Sequence, residues 1–100
     1  MAYLVEYDPV AVAPYLEAFD LSPAGREALT RALDDLAAGS DELASDPALR
    51  LAPESYYVDV RLVFHDPAPQ VFHVLRVILD TSTTSYGIVR IVYVEEIAHS

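Results

Sequence analysis

The chain contains no cysteine and no lysine, and each absence removes a class of chemistry. Without cysteine there is no disulfide framework, no thiol nucleophile and no cysteine metal site. No HExxH, glycine-rich phosphate loop or GxSxG element occurs, so metalloprotease, P-loop and hydrolase readings have no support. The opening "MAYLVEYDP" lacks a basic leader region, and no stretch reaches the ~20 apolar residues of a membrane span. A soluble, cytoplasmic protein with no membrane contact, no metal and no cofactor is the expectation. Six arginines against sixteen acidic residues give a formal charge of −10, which repels nucleic acid and anionic membranes at long range. Screening confines most of that repulsion to ~8 Å at physiological salt, so a local basic patch is compatible with the total.

One hundred residues suit a single domain spanning the whole chain, large enough to bury one core. Hydrophobic residues make up 53% of it, with mean hydropathy +0.23, and the surplus must be packed inside or presented to a partner. "MAYLVEY" reads as a short strand ended by Asp8 and Pro9. In "VAVAPYLEAF" Pro14 lies too deep for a helix begun at Pro9, which predicts a kinked or late-starting short helix with Tyr15, Leu16 and Phe19 turned inward. "SPAGREALTRALDDLAAGS" predicts a helix capped by Ser22, with Pro23 in the first position, Leu29, Leu33 and Leu36 on one face, and Gly39 as its stop. A short helical turn and an irregular link follow in "SDELASDPALRLAPES". From Tyr56 the period switches to three strands joined by "DPAP" and "TSTTS", which suit antiparallel hairpins. The expected fold is α+β: an N-terminal strand, two helices, then a three-stranded antiparallel meander with the helices on one sheet face.

Alternation assigns the faces. Tyr56, Val58, Val60, Leu62 and Phe64 turn towards the helices, as do Val71, His73, Leu75, Val77 and Leu79, and then Val89, Ile91, Tyr93 and Ile97. The opposite face carries Arg61, Arg76 and Arg90, one arginine near the middle of each strand. Four- and five-residue loops would place His65 opposite Gln70, Asp59 opposite Arg76, Arg61 opposite Val74, and Arg76 opposite Arg90. Guanidinium groups give forked hydrogen bonds to phosphate or carboxylate, so the three arginines are a candidate anion site; the alternative is a solvated face on which Arg76 pairs with Asp59. His65 at the rim of this face and His99 in the tail offer acid/base chemistry near neutral pH, while His73 falls on the core side. Phe72, Val74, Ile78, Ile88, Val92 and Val94 make the same face more apolar than a solvated one needs, and predict a covering partner chain or homodimer mate.

In order and spacing nearly the whole chain resembles the RelE/ParE superfamily of small toxins from toxin–antitoxin modules. "MAYLVEYDPVAVAPYLEAF" is similar to that family's opening strand and helix, "SPAGREALTRALDDLA" to its second helix, "DPALRLAPESYYVDVRL" to its link and arginine-bearing strand, and "VFHVLRVILD" and "GIVRIVYVEE" to its last two strands. The resemblance implies an open sheet face holding arginines with aromatic or histidine groups, used by several members to cleave mRNA on the ribosome. It makes Arg61, Arg76 and Arg90 the candidates for phosphate contacts and His65, His73 or His99 the candidate acid/base groups. This chain departs from the family's basic character: Glu95 and Glu96 stand where positive charge is expected, which works against RNA and ribosome binding.

Two functions are open at this point. One is a RelE/ParE-like toxin, an mRNA ribonuclease acting through Arg61, Arg76, Arg90 and His65 and held by an antitoxin across the apolar face. The other is a catalytically inactive protein-interaction module on the same fold, either a homodimer or a partner-binding chain.

Overall fold

The computed structural model describes residues 3–100; Met1 and Ala2 of the predicted first strand lie outside them. The elements run β1 (Leu4–Tyr7), α1 (Ala13–Ala18), α2 (Pro23–Ala38), α3 (Ser40–Ala44), β2 (Tyr57–Asp66), β3 (Val71–Asp80) and β4 (Ile88–His99), an α+β fold. One mixed four-stranded sheet has the order β1-β4-β3-β2. β2, β3 and β4 pair antiparallel in succession, and β1 lies parallel to β4, a long-range pairing that no local signal announces. No helix among the described residues is long and apolar enough to cross a membrane.

Local chemistry explains the helix boundaries. The Asp8 carboxylate accepts from the Val10 and Ala11 N–H groups, closing a turn that delays α1 until Ala13 and leaves Pro14 in its first turn, where its missing donor costs nothing. α2 starts where Ser22 accepts from the Gly25 N–H and ends at Gly39. Its Leu29, Leu33 and Ala37 are buried against Val58, Val60, Leu75, Val77, Leu79 and Ile91, with Tyr15, Leu16, Phe19 and Leu36 packed around them. Burying each large aliphatic side chain contributes about 1.5–3 kcal/mol, which makes this seam the main source of stability.

Even positions of β2 and odd positions of β3 face the helices as the alternation predicts, except Tyr56, which precedes β2 and is exposed. The register differs. Asp66 and Val71 close the β2–β3 hairpin around a Pro67–Gln70 turn containing a cis Ala68–Pro69 bond, so Arg61 lies opposite Arg76, Asp59 opposite Ile78 and His65 opposite Phe72. A two-residue shift preserves the faces, which is why alternation survives a wrong loop length. The β3–β4 connection is longer than five residues: a 3-10 turn over Thr84–Tyr86 and a left-handed Gly87 place Asp80 opposite Arg90 and Arg76 opposite Glu95.

β4 breaks the alternation twice. Between Leu79↔Ile91 and Ile78↔Tyr93 the strand carries one extra residue, Val92, and between Leu75↔Glu96 and Val74↔Ala98 another, Ile97. Each bulge exchanges the faces beyond it. Val94, expected on the partner face, is therefore buried in the core at 4% exposure, while Tyr93 and Ile97, expected inside, are half-buried and exposed.

Candidate functional site

The outer sheet face reads in rows. Arg61, Arg76 and Glu95 form one, Asp59, Ile78 and Tyr93 the next, and Asp80, Arg90 and Glu6 a third. Asp59 sits diagonally between the first two arginines. Its Oδ1 accepts from Arg61 Nη1 at 3.0 Å, and both of its oxygens accept from Arg76 Nε at 3.1 Å, with a further bond from Arg76 Nη2 at 2.9 Å. These bonds, those of Arg76 first, hold the Asp59 carboxyl below the usual carboxylate range and raise the Arg76 guanidinium in return. Arg76 also lies over the Tyr93 ring at 5.7 Å, and the Tyr93 hydroxyl donates to Glu95 at 2.6 Å.

The structure thus brings Arg61 and Arg76 together but gives them a shared carboxylate. Arg90 is four positions along β3 from the Arg76 row, ~13 Å away at strand rise, between Glu6 and Asp80. His65 lies four positions from Arg61 in the other direction, its ring 4.6 Å from Phe72. The four proposed catalytic side chains do not form one constellation.

Apolar groups remain open on this face. Val63 is 58% exposed and Phe72 52%, side by side with half-buried Val74, while Ile78, Ile88 and Val92 are half-buried nearer the other end. Five of the six residues expected to meet a partner lie on or beside this surface; Val94 does not.

A second constellation lies on the helix side, at the far ends of β3 and β4. A cleft of about 460 Å³ is lined by Tyr15, Phe19 and Asp20 from the α1 region, by Asp66 and Pro69, and by Val71, His73, Glu96 and His99. His73 Nδ1 is 2.5 Å from Glu96 Oε2, and the other Glu96 oxygen is 3.5 Å from His99 Nδ1. The His73 ring stacks on Phe64 at 5.0 Å and meets the edge of Phe19 at 5.3 Å. The Tyr15 hydroxyl accepts from the Glu96 N–H at 2.9 Å, tying α1 to β4.

Behind the cleft, Asp66 is 2% exposed and accepts from the Ser22 hydroxyl and N–H and from the Ala68 N–H. Those donors, the Ser22 hydroxyl first, hold its carboxyl below the ordinary range.

Alternation put Glu96 on the open face and left His99 in the tail, and so missed this cluster. The Val92 bulge turns Glu96 inward and the Ile97 bulge keeps His99 on the same side, opposite His73. A carboxylate that orients an imidazole is the arrangement used to fix a histidine tautomer. Among the described residues no group of three or more side chains has the geometry to hold a metal ion.

Comparison with family models, with curated proteins and with solved structures gives no match.

Proposed function

We propose that the chain is a protein-interaction module on a RelE/ParE-like arrangement of strands and helices, with the open sheet face seated against a second protein chain. The observation that carries this reading is the pairing of Arg61 and Arg76 with one carboxylate of their own face. Asp59 holds Arg61 and Arg76, and Arg90 stands between Glu6 and Asp80. An RNA phosphate approaching Arg76 would have to displace Asp59 and would meet Glu95 beside it, within a chain of net charge −10. The apolar group around Val63 and Phe72 needs no such displacement and gains stability from being covered.

The test is sedimentation velocity of the purified chain, alone and co-expressed with the product of the adjacent reading frame. One of the two samples is expected to contain a larger complex that Val63→Glu combined with Phe72→Glu dissociates. A monomer in both, or a complex indifferent to those substitutions, contradicts the reading.

The toxin reading keeps one supporting feature, the adjacency of Arg61 and Arg76 on the open face. Growth arrest on induced expression, with mRNA cleavage lost in Arg61→Ala and Arg76→Ala, would establish it instead.

A further inference from the structure

The cleft beside His73 lies on the side of the sheet opposite the open face and has the features of a small-molecule site. Its volume of about 460 Å³ falls within the range of ligand pockets, ~300–1,000 Å³. Its walls are aromatic and apolar: Tyr15 and Phe19 on the helix side, Val71 and Pro69 on the sheet side. Its ionisable lining consists of three carboxylates, Asp20, Asp66 and Glu96, together with His73, His99 and the Tyr15 phenol, and no arginine. The carboxylates outnumber the imidazoles and no arginine opposes them, so an anionic ligand is repelled and a cation attracted.

His73 adds an independent feature. His73 is 9% exposed, its ring held between Phe64 and Phe19 and its Nδ1 taken by Glu96. An ionised carboxylate only accepts, so the shared proton belongs to Nδ1, and in the neutral form of the ring the lone pair is on Nε2. Among the described residues Nε2 has no hydrogen-bond partner, although the ring lines the cleft. An acceptor fixed in orientation by a carboxylate and walled by aromatic rings is complementary to an N–H donor carried on an apolar body.

We propose that this cleft binds a small organic cation, an ammonium group on an aromatic or alkyl body, with His73 Nε2 accepting from the ammonium and Phe19 and Tyr15 holding the apolar part. Asp20 at the exposed rim and the Glu96 carboxylate behind His73 supply the charge selectivity. The site is on the helix side of the sheet and does not depend on what covers the opposite face.

Benzylamine, benzyl alcohol and benzoate share a ring and differ in charge, so they separate this proposal from simple apolar binding. Backbone amide shifts of the isotope-labelled full chain are followed on titration with each. Benzylamine is expected to shift the amides of Phe19, Val71, His73 and Glu96 saturably, with Kd on the order of 1 mM for a ligand of this size. Benzyl alcohol should bind about tenfold more weakly and benzoate not at all. Asp20→Asn alters an exposed rim residue outside the helices and is expected to weaken benzylamine about two- to fivefold. His73→Phe keeps the ring and removes the acceptor, and should weaken benzylamine about tenfold while the carboxylates still exclude benzoate. Equal or tighter binding of benzoate, or no saturable shift with benzylamine up to about 20 mM, twentyfold above the expected Kd, overturns the proposal.

Discussion

Arg76 meets Asp59 through both carboxylate oxygens, with Nε 3.1 Å from each and Nη2 at 2.9 Å, while Arg61 closes on the same carboxylate from the next position at 3.0 Å. Two arginines paired directly across a β-ladder repel each other, and a carboxylate two residues from Arg61 on its own strand and diagonal to Arg76 offsets that repulsion. Asp59→Ala is therefore expected to destabilise the fold by about 1 kcal/mol, much of it from Arg61 and Arg76 left facing each other. Urea midpoints of the two proteins measure it.

The same contact predicts acid sensitivity. Asp59 and Asp66 both have carboxyls held below their ordinary range, by Arg76 and by Ser22 respectively. A carboxyl with a depressed folded-state pKa contributes stability above its unfolded value and loses it as pH falls through the folded value. Stability should thus decline progressively below about pH 5, where unfolded aspartates begin to bind protons. Asp59→Asn is expected to flatten part of that decline when urea midpoints are compared across pH.

The entry to α2 is a three-residue device. Ser22 caps the helix through Gly25 and donates to buried Asp66, and a Cβ on Gly25 would lie 2.5–2.8 Å from the Asp66 carboxylate atoms. Gly25→Ala forces the helix and carboxylate apart and should cost about 1–3 kcal/mol, as overpacking does. Gly87 is the contrasting case: its φ is +77° with nothing within 4 Å of an added Cβ, so Gly87→Ala should cost only the left-handed conformation, about 1–2 kcal/mol. Relief of the Gly25→Ala defect by a smaller residue at 66 would identify Asp66 as the obstacle, and no substitution there should relieve Gly87→Ala.

Leu33 is 1% exposed at the centre of the seam between α2 and the sheet. Leu33→Ala should cost about 2–5 kcal/mol, against less than 0.5 kcal/mol for Thr30→Ala on the exposed side of the same helix. Thermal or urea denaturation distinguishes the two directly.

Much of this fold was legible from local chemistry. Ser22, Pro23 and Gly39 bound α2, and Pro14 foretells the late start of α1, because caps and prolines act on their own backbone. Alternation sorted β2 and β3 correctly even with the register displaced by two, since faces repeat every second residue. It failed in β4 because neither Val92 nor Ile97 carries a turn or glycine signal, and the bulges there come from tertiary pairing with β3. That failure hid the cleft: Glu96 looked like a misplaced charge on the open face until the first bulge turned it towards His73. Arg61, Arg76 and Arg90 were correctly put on one face, but their separation into two rows depended on loop geometry.

Binding of a fluorescent single-stranded RNA at low salt, followed by anisotropy for the wild-type chain and for Asp59→Ala, tests most directly whether the arginines are already satisfied. The wild-type chain is expected to show no saturable binding, and Asp59→Ala to gain weak, salt-sensitive binding that a further Arg76→Ala removes. Saturable, salt-sensitive binding by the wild-type chain that is lost on Arg61→Ala or Arg76→Ala would contradict the interaction-module reading.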